Sequence, residues 1–432
     1  MGWYKRREYR HFDSPLSESA ARALVTNPAR VAQNPFLPFL RFQLSEIRPS
    51  ARRWRRIKSR DISIASHRDS HIFAYYAREL GAAYEDWLLR NQLGRSVLAF
   101  RPGSDSGGGL RAKCNIHFAR HAFRQIRRMG SCQVIGADVR SFFDRIPHAV
   151  IKDQWAKTLG VHRLSDDHYA VFRNLTRYSW VDREAARVAL GISKAAMIRD
   201  RPLPLTDPVG FRKVVRGGGL VHRNSLALGI PQGAPISATV SNIVMREFDL
   251  VVSERARSVG GFYLRYCDDI LVAIQGTPND ANDFVTYLED LLGTMLELQI
   301  APEKTEVHSY SSGRLTRSGK QSWLQYLGFM FNGTRVLLRP KTLSRFHRRM
   351  ESAVWLARAS ASKANRLRAQ NGLPPTPLRK KGLYERYSHL GAGRKGRGNF
   401  VGYGLRAARI IGDEGLRRQV ARQWGTLRRK LR

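Results

Sequence analysis

The sequence predicts an α+β fold, on three observations. Two short apolar, β-branched runs flank Cys267-Asp268-Asp269 within Phe262-Tyr-Leu-Arg-Tyr-Cys-Asp-Asp-Ile-Leu271, the pattern of a β-hairpin with a tight turn. Another strand-like run, Cys132 to Ala137, ends at Asp138. Helical periodicity surrounds these strands over Ile72–Leu89, Ser237–Val252, Phe284–Leu298 and Leu343–Ala364.

Composition narrows the partners. Of 432 residues, 42% are hydrophobic, enough for a core divided among two or three subdomains. The 75 Lys and Arg against 35 Asp and Glu leave a net charge of +40, whose self-repulsion a polyanion would offset. Nucleic acid fits better than membrane, because no apolar run approaches the ~18–20 residues that cross a bilayer. The start, Met1-Gly-Trp-Tyr-Lys-Arg-Arg7, runs straight into charge, with no signal peptide and no Ser or Thr at position 6 for myristoylation. Cys114, Cys132 and Cys267 are too scattered for a disulfide framework or a zinc site. A cytoplasmic, reducing setting is the expectation.

Along the chain, residues 1–54 read as a basic N-terminal extension, and the basic cluster Arg52-Arg-Trp-Arg-Arg-Ile-Lys58 straddles its end. Residues 55–130 alternate apolar runs with the first helical pattern and include the Gly/Ser loop Pro102–Gly109. Residues 131–335 carry strand–turn–helix segments, with an insertion around 150–225. Residues 336–432 form a basic helical region: from Lys341 onward, 24 Lys and Arg meet 4 Asp and Glu, half the net charge of the chain. Its candidate RNA-backbone contacts are Arg345, Arg348, Arg349, Lys380, Lys381, Arg394, Lys395 and Arg397.

The acidic residues carry the chemistry. Alone, Asp138 at a strand end is commonly a turn or cap residue. With Asp268 and Asp269 it offers hard oxygen ligands from separate strands, which suit Mg²⁺ completed by water and substrate phosphates. Two such ions would bind a triphosphate, activate a primer 3′-hydroxyl and stabilise departing pyrophosphate. Phe143, five residues past Asp138, would stand against the sugar of an incoming nucleotide. Gly229-Ile-Pro-Gln-Gly-Ala-Pro-Ile-Ser237 is a turn-rich loop leading into a helix that Ser237 would cap. In Pro302-Glu-Lys-Thr305, Lys304 is either a surface lysine or the general acid that protonates pyrophosphate. Tyr326-Leu-Gly-Phe-Met-Phe331 reads as an edge strand or as part of the site.

These motifs, Asp-x-x-x-Phe-Phe-Asp, Pro-Gln-Gly-x-x-x-Ser, Tyr-x-Asp-Asp, Lys-Thr and Leu-Gly-Phe, resemble in content and order those of reverse transcriptases, over roughly residues 55–335. The resemblance implies a right-hand polymerase: fingers at 55–130, a ferredoxin-like palm at 131–335 and a helical thumb beyond. It implies metal positions for Asp138, Asp268 and Asp269 with the Val139 carbonyl, and dNTP substrates selected by Phe143 as steric gate. Gln232 and Gly233 would touch the nascent base pair, and Tyr326, Leu327, Gly328 and Phe329 would be the primer grip. In the fingers, Ile62–Asp69 looks like a basic strand with Arg68 on the triphosphate, and Phe100-Arg-Pro-Gly103 like a second motif with Arg101 on RNA.

Within that family the chain resembles the bacterial enzymes. It lacks the Asn-Ala-x-x-His and Val-Thr-Gly elements of retrons and a His/Cys endonuclease module after residue 335. Length, Tyr-Cys-Asp-Asp and the basic C-terminal region are most similar to the type 2 defence-associated reverse transcriptases. That likeness implies a structured non-coding RNA as partner and template, copied into concatenated cDNA during phage infection. The alternatives are an enzyme of a mobile or retron-like element, an RNA-dependent RNA polymerase, which Phe143 argues against, and a catalytically idle RNA-binding scaffold, which the intact aspartates argue against. Priming mode and oligomeric state stay open.

Overall fold

The computed structural model describes residues 2–48, 56–101, 113–391 and 398–431. Strands β1 (Phe39–Arg48) and β2 (Arg56–Ile64) form an antiparallel hairpin, with Leu40 opposite Ile64. The next strand in the chain is β3 (Ser131–Asp138), which belongs to a different sheet. Then β4 (Ser179–Asp182) and β5 (His222–Arg223) return to the hairpin and complete the order β2-β1-β4-β5. Residues 39–48, expected within the N-terminal extension, are thus a sheet strand. Leu40, Phe42 and Leu44 alternate with Arg41, Gln43 and Ser45, a period of two that the neighbouring basic clusters obscured.

The central sheet takes β3 with β6 (Phe262–Tyr266), β7 (Asp269–Ile274), β8 (Glu306–Ser311), β9 (Arg314–Arg317) and β10 (Lys320–Gln321). Its order is β10-β9-β8-β3-β7-β6. Helices precede β6 and β8, so the chain runs β3–helix–β6–β7–helix–β8 and lies in space as β8-β3-β7-β6. This is the βαββαβ arrangement of a ferredoxin-like unit, as expected.

Strand β3 is covered on both faces, which explains its unbroken apolar run. Ile135 and Ala137 enter a core shared with helices Arg246–Ser258 and Pro278–Leu296, through Phe248, Val252, Phe284 and Leu288. Cys132 and Val134 enter a second core beneath helix Asn115–Met129. A small sheet of β11 (Leu324–Tyr326), β12 (Phe329–Phe331) and β13 (Val336–Leu338) covers the same side.

Helix bounds differ from the periodicity in instructive ways. The pattern Ile72–Leu89 lies inside His67–Arg90, and Phe284–Leu298 corresponds to Pro278–Leu296, which starts at a Thr277/Asp280 capping box. The stretch Ser237–Val252 is two helices, Ser237–Val244 and Arg246–Ser258, interrupted at Met245. Ser237 does not cap: Ile236 holds that position, and the Ser237 hydroxyl donates back to the Pro231 carbonyl at 2.7 Å.

After β13 come helices Pro340–Gln370, Lys381–Tyr387, Phe400–Ile411 and Glu414–Leu431, with their own core around Phe346, Met350, Leu383, Tyr387 and Leu427. Asp413 and Gln419 accept the backbone N–H groups of Val336 and Leu338 at 2.6 and 2.8 Å and tie this bundle to β13. Among the described residues no helix is long and apolar enough to cross a membrane.

Candidate active site

Strands β6 and β7 pair from Phe262 opposite Ala273 to Tyr266 opposite Asp269, leaving Cys267 and Asp268 as a two-residue turn. Cys267 accordingly takes a positive φ of 61°. The neighbouring ladder sets Asp138, last residue of β3, directly opposite Asp269. The Val139 N–H donates to the Asp268 carbonyl at 3.1 Å. Three aspartates separated by 130 residues of chain thus meet at one end of the sheet.

Burial, then repulsion from neighbouring carboxylates, dominates the electrostatics of Asp268 and Asp269. Burial, then the negative fields of Asp268 and Asp138, push the Asp269 carboxyl up to about 7. Burial and Asp138 likewise raise Asp268. Lys304, on the 3₁₀ turn Pro302–Lys304, reaches back so that its ammonium pairs with the Asp138 carboxylate, and its charge opposes both shifts. Among the described residues no three His, Cys, Asp or Glu side chains form a preassembled metal cage. The donor set nevertheless fits a divalent cation: the ligands are oxygen-only, and a hard cation would relieve the charge that favours protonation at Asp268 and Asp269.

A residue that the sequence reading passed over holds the turn. Arg265, mid-strand in β6, is fully buried, as is Asp249 on helix Arg246–Ser258. Their fork-to-fork pair has Nε–Oδ1 and Nη2–Oδ2 distances of 2.6 Å. Arg265 Nη1 also donates to the Cys267 carbonyl at 3.0 Å and to Asn242 Oδ1 at 3.2 Å, and the Tyr263 hydroxyl donates to Asp249 at 2.7 Å. The visible cue was an arginine alone in an apolar strand, where a charge requires a partner.

The Pro-Gln-Gly loop wedges between two elements. On one side the Ile230 N–H donates to the Phe143 carbonyl at 2.9 Å. On the other, the Gln232 carbonyl accepts the Ser63 N–H of β2 at 2.8 Å. Gly233, at φ 108°, lies so close that a Cβ would sit 2.8 Å from the Ser63 carbonyl oxygen. Phe143, half-buried on the short helix Phe142–Arg145, is therefore fixed beside this loop, with Phe142 in the core beneath. Nearby, Arg41 of β1 stacks 3.9 Å over Trp180, donates to the Tyr178 hydroxyl at 3.1 Å and lies 3.7 Å from Asp61. The sequence reading also missed this cluster, which joins two segments 139 residues apart.

Tyr326 to Phe329 form the turn of the β11–β12 hairpin, with positive φ at both Leu327 (46°) and Gly328 (91°). Tyr326 ends the edge strand β11, and Phe329 begins the central strand β12. The Leu327 carbonyl accepts from Asn115 Nδ2 at 3.0 Å, and the same amide donates to the Tyr403 hydroxyl at 2.9 Å. Tyr326 is buried with its hydroxyl unpartnered among the described residues, and burial and Asp269 push its ionisation up.

Two basic assignments change. Strand β2 ends at Ile64, and Arg68 lies in the first turn of helix His67–Arg90, begun by the Ser66 cap. Arg68 is exposed there beside Leu16, Ala20 and Arg30, not on the sheet that meets the Pro-Gln-Gly loop. Arg101 is 5% exposed and spends its donors on Glu85, at 2.7 and 2.6 Å, and on the Gly94 and Val97 carbonyls. It is a structural clasp and has little left for RNA. Arg348, Arg349, Lys380 and Lys381 are exposed on the C-terminal bundle, and Arg345 is half-buried. Arg394, Lys395 and Arg397 lie outside the described residues, as do Pro102 and Gly103 of the second finger motif.

Residues 58–331, more than half of the chain, match the family model for reverse transcriptase (RNA-dependent DNA polymerase). Among solved structures the chain is similar to apo telomerase from Candida tropicalis truncated from its C-terminal domain: 12% identity, TM-score 0.44, covering 75% of this chain and 61% of that one. It is also similar to telomerase from Candida albicans in complex with a TWJ fragment of telomeric RNA: 10% identity, TM-score 0.42, covering 91% and 62%. The chain spans less than two thirds of the length of either. No curated protein matches it.

Proposed function

Because the chain belongs to the reverse transcriptase (RNA-dependent DNA polymerase) family, we propose that it is an RNA-directed DNA polymerase, extending a primer along an RNA template. The observation that carries this reading is the register of Asp138 against Asp269, with Asp268 in the adjoining turn. Divalent cations, two Mg²⁺ in this proposal, held by these carboxylates and the Val139 carbonyl would supply charge neutralisation at the triphosphate and a more acidic primer hydroxyl.

The remaining residues bind and orient. Phe143, braced by the Pro-Gln-Gly loop, bars a ribose 2′-hydroxyl and so selects dNTPs. Gln232 and Gly233 line the base pair being formed. Lys304, already against Asp138, donates a proton to the departing pyrophosphate. The Tyr326–Phe329 turn steadies the primer end, and the exposed cations of the C-terminal bundle track the backbone of template and cDNA product.

We further propose that the template is a structured non-coding RNA and that its cDNA, concatenated by repeated copying, serves antiviral defence in a bacterial cytoplasm. Support comes from the resemblance of Tyr-Cys-Asp-Asp and the basic C-terminal region to the type 2 defence enzymes.

The test is primer extension with Mg²⁺, dNTPs and a primed RNA template. The wild type should make DNA, and Asp268→Asn with Asp269→Asn should abolish synthesis while RNA binding persists. Phe143→Ala should admit rNTPs. An inactive wild type, or an active double variant, would overturn the assignment.

A further inference from the structure

Helix Asn115–Met129 buries Ile116, Ala119, Phe123 and Ile126 in the second core and turns a basic face outward. Where that face meets the segment 94–98, it opens a cavity of about 440 Å³. Five cations line it: Arg95, Lys113, Arg120, Arg124 and Arg128. His117 and His121 stand between them, and no carboxylate among the described residues shares the lining. Val97, Leu98 and Phe118 form an apolar floor.

Arg127 on the same helix illustrates what a structural arginine does. It is spent on the Gly333 and Thr334 carbonyls. Arg95, Arg120, Arg124 and Arg128, by contrast, have no carboxylate partner among the described residues. Burial, then the fields of Arg95 and Arg128, hold His121 below its ordinary range.

The arrangement selects among anions. From His117 to Arg128 the face runs about 16 Å at the helical rise, so its charges form a line and do not converge on one point. A line of cations fits successive phosphates better than a single phosphate group. The cavity also has a defined relation to the catalytic hairpin. The Leu98 N–H donates to the Arg265 carbonyl at 2.9 Å on the outer edge of β6, and the Phe118 ring lies 5.9 Å from Tyr266.

We propose that this cavity is a second RNA site, gripping the phosphodiester backbone of a structured part of the RNA outside the primer–template duplex. The proposal rests on the reading that the chain copies RNA, and it adds where a folded RNA docks: along the β6 edge.

The test combines Arg120→Gln, Arg124→Gln and Arg128→Gln, with binding of a labelled RNA hairpin followed by anisotropy across a salt series. Affinity should fall about tenfold or more, and the log–log salt slope should lose roughly two to three units, one per phosphate contact removed. The matching triple Arg→Lys variant should keep most of both. Affinity and slope unchanged in the Gln variant would overturn the proposal. Should the Gln variant melt early, ultraviolet crosslinking of a thiouridine-bearing hairpin to the wild type decides: crosslinks within 113–128 support the site, and crosslinks only elsewhere overturn it. Competition with inorganic triphosphate separates the sources, because triphosphate displacing the hairpin at equal phosphate concentration would mark a mononucleotide site and refute backbone binding. Extension of a short primed template by the Gln variant should match wild type, so failure of the cavity leaves the polymerase reading standing, whereas an inactive wild type would end that reading by itself.

Discussion

Asp269 faces Asp138 across the β3–β7 ladder, so two carboxylates occupy one cross-strand position with Asp268 beside them. Burial, and then the like charges so placed, raise the Asp269 carboxyl from its ordinary 3.8 to about 7. A carboxyl raised on folding stabilises the fold fully below about pH 4 and loses that contribution as pH climbs through about 7. Without divalent ions, the melting temperature of the wild type should therefore fall between pH 5 and pH 8 more steeply than that of Asp269→Asn. Mg²⁺ added at pH 8 should recover the wild type more than the variant. Parallel melting curves for the two proteins would contradict this account.

The buried pair of Arg265 and Asp249 leads to a stability prediction. Removing one partner leaves the other charge buried and alone, which costs about 3–5 kcal/mol. Arg265→Met and Asp249→Leu should each lower the unfolding free energy from urea titration by that order. The double variant should regain part of the loss, because no bare charge remains. Activity should not return with stability, since the Cys267 carbonyl has lost its Arg265 donor. Additive losses in the double variant would show that the pair acts independently.

What the sequence made legible was local. The β6–β7 hairpin announces itself through two apolar runs and a short polar turn, and β3 through an unbroken apolar run ending in Asp138. Partners distant in sequence were not legible. Arg101 looked like an RNA contact beside a turn, but Glu85 one helix upstream takes its guanidinium. Arg265 gave no hint that Asp249, on the preceding helix, would meet it. Arg68 was misjudged for a local reason: Ser66 and Asp69 form the Ser-x-x-Asp start of a helix, and the apolar alternation of β2 masked it.

Gly233 offers a backbone test. Its φ of 108° disfavours any side chain, and the Ser63 carbonyl leaves a Cβ only 2.8 Å. Gly233→Ala should cost about 1–3 kcal/mol and lower dNTP incorporation, because the loop must leave β2 or drag it along. Gly81, mid-helix with open space for 4 Å around the place a Cβ would take, is the control. Gly81→Ala should stabilise by about 0.5–1 kcal/mol through helix propensity. Equal effects at the two sites, measured by urea unfolding, would discard the close-approach argument.

Tyr326 gives the opposite sign. Its ring fills the second core beside β3, but its hydroxyl is buried without a partner among the described residues, and an unsatisfied buried donor costs free energy. Tyr326→Phe keeps the ring and removes that cost, so stability should rise by about 1 kcal/mol. If the primer contact is made by the backbone turn at Leu327 and Gly328, which Asn115 and the Arg339 N–H already brace, primer extension should stay near wild type. Should the variant instead lose extension while gaining stability, the hydroxyl itself must serve the primer, and its unpartnered state is then the cost of a functional contact.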